Sequence, residues 1–298
     1  MSGRGGAADG DWLPVDDGYA PFEGYPGDDA GYEAPYGGSP YDEALSPYDD
    51  GGPALRARLP TSPVRALYRL LLHQQLTRGR LLLAAVLGLL AVGVAALIAA
   101  NTTADERVLV TVGFLSAFGL GLSIPILSLV IASSSLGQLV DDQTLVYLWL
   151  RPNPRWQLAL AAWGAAATVT VPATTAPLTV AALAGARQAE APLAVAASSL
   201  LATLAYTAVF TLLGLVLRRA LIWGLVYVFI WEFFVARVGQ GAARLSINTY
   251  PLSVLAELTD TDLPLAERSL ASGVLVPLGV TVLAVLLTAW RLARAEVA

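Results

Sequence analysis

Residues 81–100 read LLLAAVLGLLAVGVAALIAA. Twenty consecutive positions carry no polar side chain, and at 1.5 Å per residue they reach ~30 Å, the thickness of a bilayer's hydrocarbon core. Arg78 and Arg80 stand before this stretch, and Asn101, Thr102 and Asp105 follow it. It predicts a transmembrane helix on length alone. Working outward, similar apolar stretches recur at about 108–133, 156–184, 192–217, 221–238 and 271–290. Pro125, Pro172 and Pro177 fall inside them, which membrane helices tolerate because neighbouring groups satisfy the freed carbonyls. The expected fold class is therefore an all-α integral membrane protein with six transmembrane helices.

Arg counts in the short connections set the expected threading. With the N-terminus inside, twelve Arg flank the inner ends, from Arg56 to Arg294, and five lie outside: Arg107, Arg187, Arg237, Arg244 and Arg268. This predicts both termini in the cytoplasm. Composition agrees with burial in lipid, since 56% of residues are hydrophobic and only 14% charged, against about 25% charged in soluble domains. The net charge of −5 is uneven. Residues 1–50 hold 12 of the 23 acids and one Arg, so the remainder is net positive.

Residues 1–60 are rich in Asp, Gly, Pro and Tyr, with Pro35-Tyr36, Pro40-Tyr41 and Pro47-Tyr48 as a loose repeat. Too few aliphatic residues are present to bury a core, so the segment reads as a disordered acidic tail. No basic stretch followed by an apolar run opens the chain, so no signal peptide is expected. Residues 61–78 differ. Pro63 suits a first helical turn, with Thr61 or Ser62 as cap. Val64, Leu67, Tyr68, Leu71 and Leu72 share one face, and Arg65, Arg69 and His73 share another. This predicts a basic amphipathic helix lying in the membrane interface. A six-helix membrane domain is expected over 79–298.

Residue types exclude several chemistries. Cys is absent and His73 is the lone histidine, so neither thiolate chemistry nor a multi-histidine metal site is open to one chain. All 18 basic residues are Arg. A phosphate-binding loop needs a Lys to reach the nucleotide phosphates, so any ATP-driven role requires a partner subunit. Glu232, within Trp231-Glu232-Phe233-Phe234, stands out because an intramembrane carboxylate costs several kcal/mol unless paired or wetted. It serves either a functional role or a hydrogen-bonded structural one. The segment 136–155 is amphipathic and cytoplasmic in the expected threading. It carries Asp141 and Asp142, then Thr144, Leu145, Tyr147, Leu148 and Leu150, and ends in Arg151-Pro152-Asn153-Pro154-Arg155. It reads as a short helix that either docks a soluble partner or lies on lipid. The outer segment 239–270 predicts short helices on or dipping into the membrane face.

At these residues the chain resembles the permease subunits of type-2 ATP-binding-cassette (ABC) exporters. The family pattern of an acid, Gly-Thr, an amphipathic run and Pro-x-x-Arg is similar to Asp141-Asp142-Gln143-Thr144 through Pro152-Asn153-Pro154-Arg155. Gln143 replaces the usual Gly, and Ala162 stands where many members have Lys. Trp231-Glu232 and the following Leu245-Ser246-Ile247 also resemble the family, and the likeness spans about 61–298. It implies a permease that binds no cofactor itself, pairs with a second copy or paralogue, and couples to a separate ATPase carrying ATP and Mg. Asp141, Asp142, Thr144, Leu145, Leu148, Arg151, Pro152 and Arg155 would form the coupling segment. Membrane lipid would be a partner and nucleic acid would not, and the bacterial cytoplasmic membrane is the expected location. Two other readings compete: a membrane scaffold or regulator acting through its acidic tail, and, more weakly, an intramembrane enzyme using Glu232.

Overall fold

The computed structural model describes residues 63–141, 154–186, 188–235, 240–266 and 268–294. The acidic tail, with its Pro-Tyr repeat and the proposed caps Thr61 and Ser62, lies outside the described residues. So does most of the coupling segment. Every regular element among the described residues is helical. In chain order these are α1 (Pro63–Gln75), α2 (Arg78–Asn101), α3 (Ala104–Phe114, Leu115–Ser123, Ile124–Asp141) and α4 (Arg155–Gly185). Then come α5 (Glu190–Val216), α6 (Ala220–Val226, Tyr227–Val235), α7 (Gln240–Ala243), α8 (Thr249–Thr259) and α9 (Leu270–Arg294).

Five of these are long and apolar enough to cross a membrane: Arg78–Asn101, Glu106–Gly137, Arg155–Gly185, Glu190–Val216 and Leu270–Arg294. They coincide with five of the six expected spans. The expected fifth span, 221–238, is the shorter helix α6. Among the described residues it comprises seven α-helical residues that continue into nine π-helical ones, fewer than the ~20 a span normally uses.

The packing explains why this is a multi-pass membrane protein. In α2 the buried residues are Gly88, Ala91, Ala95 and Ala99, spaced three or four apart on one helical stripe. The large side chains point the other way: Leu82, Leu89 and Leu97 are 65%, 73% and 63% exposed. A water-soluble bundle buries its leucines; a bundle surrounded by lipid gains nothing by doing so and brings small residues together instead. α5 sits at the centre, packed by α3, α4, α8 and α9. Its buried surface mixes small residues, including Ala194, Ser198, Ala202, Thr203 and Ala205, with the fully buried rings of Tyr206 and Phe210. The hydroxyls of Thr203 and Thr174 lie 2.9 Å apart across α5 and α4. Elsewhere Ser and Thr turn back on their own helices: Thr211 donates to the Thr207 carbonyl at 2.7 Å, and Thr170 to that of Ala166 at 2.7 Å. These hydroxyls are satisfied without spreading the helices, whereas those of Thr111, Ser128, Thr175 and Thr207 are enclosed without a partner.

Two contacts are closer still. Gly214 of α5 lies against the backbone of α3, where a Cβ would fall 2.2 Å from the Ser133 carbonyl oxygen. On α4, a Cβ at Gly185 would fall 2.5 Å from the Thr111 methyl group.

Pro125 shapes α3. A proline lacks the N–H and its ring crowds the carbonyl four residues back. The nine residues Leu115–Ser123 widen to a π-helix just before it, with the Ile124 N–H bonded to the carbonyl of Gly119, five residues back. The wider turn makes room for the ring and keeps the backbone paired. Pro172 and Pro177, by contrast, lie inside α4 without ending it.

α1 is helical over Pro63–Gln75. Leu71 is fully buried with Val64, Leu67, Tyr68 and Leu72 beside it, and α1 packs on α4. Tyr68 also reaches Thr168 of α4, hydroxyl to hydroxyl, at 2.7 Å. Arg65, Arg69 and His73 are exposed on the opposite face. The segment 240–266 forms two short helices, α7 and α8, and α8 is inserted among the longer helices. Its residues from Thr249 and Pro251 to Ala256 are largely buried, packed by α5 and α9.

Candidate functional site

Glu232 is 6% exposed, on the π-helical part of α6. In an α-helix, residues four apart share a face; in a π-helix, residues five apart do so. Tyr227 precedes Glu232 by five, and its hydroxyl donates to Glu232 Oε1 at 2.8 Å. The widened helix therefore builds half the site by itself. The other half comes from the turn between α7 and α8. The Ile247 backbone N–H donates to the same Oε1 at 3.1 Å, and Ser246 Oγ donates to Oε2. Thr249 braces this turn, its hydroxyl lying within hydrogen-bonding distance of the carbonyls of Ala243, 2.8 Å, and Ser246, 3.0 Å.

Three donors thus converge on one carboxylate, and no basic side chain among the described residues pairs with it. Hydrogen bonds of this kind leave no oxygen of the buried carboxyl unpaired where water is scarce. Tyr206 of α5 is fully buried beside the same carboxylate, but its hydroxyl has no hydrogen-bond partner of normal geometry. An aromatic chain leads from it: Tyr206 stacks on Phe210 at 5.8 Å, and Phe210 meets Tyr227 edge-on at 6.4 Å.

Glu232 also borders a cavity of about 510 Å³, within the range that holds a small organic molecule. Its walls come from the π-helical stretch of α3, from α6, from the turn before α8 and from the loop after it. Gly121 opens the α3 side: a Cβ there would sit 3.8 Å from the Asn248 side chain and 3.9 Å from Phe233. Asn248 Oδ1 is enclosed without a hydrogen-bond donor. The cavity therefore offers a carboxylate edge and an amide on otherwise largely apolar walls. That combination orients an amphiphile with a hydrogen-bonding head. Among the described residues no group of three His, Asp or Glu is placed to hold a metal ion.

The other expected site residues fall elsewhere. Asp141 ends α3. Asp142, Thr144, Leu145, Leu148, Arg151 and Pro152 lie outside the described residues. Arg155 opens α4, and its Nη1 donates to the Leu292 carbonyl at 3.1 Å and to that of Ala293. A guanidinium at the end of α9 satisfies carbonyls that the helix leaves unpaired and opposes its dipole. Arg155→Gln is expected to lower stability by about 1 kcal/mol, read as a reduced Tm in detergent, with Arg155→Lys recovering part of the loss. An unchanged Tm in Arg155→Gln would show that the contact carries no load.

Sequence reasoning singled out Glu232 but missed Tyr206, Tyr227 and Asn248. The five-residue spacing of Tyr227 was a signal only for a reader expecting a π-helix. In comparison with known sequences, the chain matches no family model and no curated protein.

Proposed function

We propose that this chain is the membrane-embedded permease subunit of an ABC exporter, forming the translocation pathway and coupling to a separate ATPase. The observation that carries the reading is the joining of Glu232 to Ser246 and Ile247. Trp231-Glu232 and Leu245-Ser246-Ile247 were two separate short likenesses to that family. Their union in one hydrogen-bonded unit is what a shared architecture predicts, and it supports treating them together. The lack of Lys supports the division of labour, since nucleotide binding then falls to a partner.

In this reading α6 is the fifth of six spans, both termini face the cytoplasm, and α8 dips in from the outer side. Two permease chains flank the pathway in a bacterial cytoplasmic membrane. The connection from 136 to 155 faces the ATPase. The cavity beside Glu232 then opens toward the outer half, where cargo leaves, and its mixed walls suit an amphipathic or lipidic cargo.

The test begins with the tagged full-length chain, purified from its native membrane in mild detergent and probed for a co-purifying nucleotide-binding subunit. In the reconstituted complex, Asp142→Ala and Leu148→Ala are each expected to lower coupled ATP hydrolysis roughly tenfold with the assembly intact. Normal coupling in both variants would sink the proposal. Loss of all function on deleting residues 1–55, with the helices still assembled, would favour the scaffold reading instead.

A further inference from the structure

A second cavity, about 350 Å³, lies at the end of the bundle where α2 begins and α5 passes into α6. Arg80, Arg218 and Arg219 all line it. No acidic side chain among the described residues does so. Arg80 is held in place: its Nη1 donates to the Gln74 carbonyl at 3.0 Å and to Gln75 Oε1 at 2.8 Å, and Gln75 is itself buried. A guanidinium has five N–H donors, so the fixed group keeps donors for a ligand. Among the described residues the guanidinium groups of Arg218 and Arg219 make no hydrogen bond, ion pair or ring contact; the Arg219 backbone carbonyl accepts from the Ile222 and Trp223 N–H groups. Ser133 and Ser134, on the α3 wall, commit their hydroxyl protons to the Leu129 and Ile131 carbonyls. The arginines are therefore the cleft's charged donors.

The geometry points to a binding site for the phosphate of an anionic phospholipid headgroup. Three guanidinium groups around one cleft match a phosphate better than a carboxylate, because the phosphate offers more acceptor oxygens and each guanidinium engages it in a fork. The lipid source follows from the remaining lining. Val130, Leu217 and Leu221 border the same cleft, and Leu221 continues into an outward apolar surface with Ile222 and Trp223, 56% and 57% exposed. An acyl chain lying along that surface places its headgroup among the arginines. Basic pockets between membrane helices hold anionic headgroups in this way. The site is separate from the Glu232 cavity and shares no lining residue with it.

The experiment titrates purified full-length protein in zwitterionic detergent with acyl-labelled phosphatidylglycerol, and in parallel with acyl-labelled phosphatidylcholine. Saturable binding of phosphatidylglycerol and far weaker binding of phosphatidylcholine are expected. In the double variant Arg218→Gln, Arg219→Gln the phosphatidylglycerol affinity should fall roughly thirtyfold. Arg65→Gln, Arg69→Gln, which removes equal charge from the exposed face of α1, should leave it unchanged. Millimolar inorganic phosphate should not displace the lipid. Equal affinity in the parent and the Arg218/Arg219 variant would overturn the site, as would equal binding of the two lipids. Full displacement by inorganic phosphate would reassign it to a soluble anion and overturn the lipid. Unchanged lipid binding with loss of a co-purifying protein would assign these arginines to a protein contact instead.

Discussion

Gly214→Ala is expected to remove most of the folded protein from the membrane fraction. The added Cβ would lie 2.2 Å from the Ser133 carbonyl oxygen, 2.8 Å from its carbonyl carbon and 2.9 Å from its Cα. All three are backbone atoms, so no rotamer change relieves the overlap. α3 and α5 would have to separate along a seam where each is packed by other helices. Overpacking a well-filled interior costs about 1–3 kcal/mol even when side chains can adjust, and here they cannot, so a loss of about 3 kcal/mol or more follows. Fluorescence-detected gel filtration of a tagged fusion would report the loss as a collapsed monodisperse peak. Gly93→Ala is the matched control. It adds the same methyl group to α2 in open space, and replacing a helical Gly with Ala gains up to ~1 kcal/mol. A sharp peak for Gly214→Ala would mean that α3 and α5 are not in backbone contact.

The second large effect concerns Glu232. Glu232→Ala strands the Tyr227 hydroxyl, the Ser246 hydroxyl and the Ile247 N–H. An orphaned buried donor costs about 1–3 kcal/mol. Hydroxyls can rotate toward other acceptors, whereas the Ile247 N–H cannot. A net loss of about 3 kcal/mol is expected, with the turn before α8 becoming protease-sensitive. Glu232→Gln keeps an amide oxygen for Tyr227 and Ile247 and presents an NH₂ group that Ser246 can accept after its hydroxyl rotates. Its loss should be about 1 kcal/mol. Thermal unfolding in detergent separates the two. A Gln variant as unstable as the Ala variant would show that the negative charge itself holds the site, through a cation still to be located. Equal stability of all three proteins would show that the hydrogen bonds contribute nothing.

Much of the helix pattern was legible before any coordinates. A membrane span announces itself by length and hydropathy, and residues 81–100 needed nothing more. Glu232 was legible for the same reason, since a carboxylate is conspicuous in an apolar stretch. What surrounds it was not. Tyr227 and Glu232 are five apart, and a reader using 3.6 residues per turn places them on different faces. The meeting with Ser246 and Ile247 depends on how the segment after α6 folds back, which no periodicity encodes. The insertion of α8 was half visible: short helices were expected over 239–270, but only the packing of α5 and α9 around it showed how deeply it is buried. The arginine cleft was hidden differently. Arg80, Arg218 and Arg219 were counted as three inner flanking charges, and sequence distance gave no sign that they face one space.

The widened turns of α3 and α6 carry a mechanical consequence. Both line the Glu232 cavity, one through Ser116 and Gly121 and the other through Glu232 and Phe233. A helix with a widened stretch need not unfold to change shape. The turn can migrate by exchanging a five-residue hydrogen bond for a four-residue one, a single bond at a time, and each step swings the residue it passes by ~100° about the axis. Two walls of one chamber can thus be re-aimed by sliding a defect along each. The hydrocarbon never meets an unpaired amide, and the small-residue seams between helices stay closed.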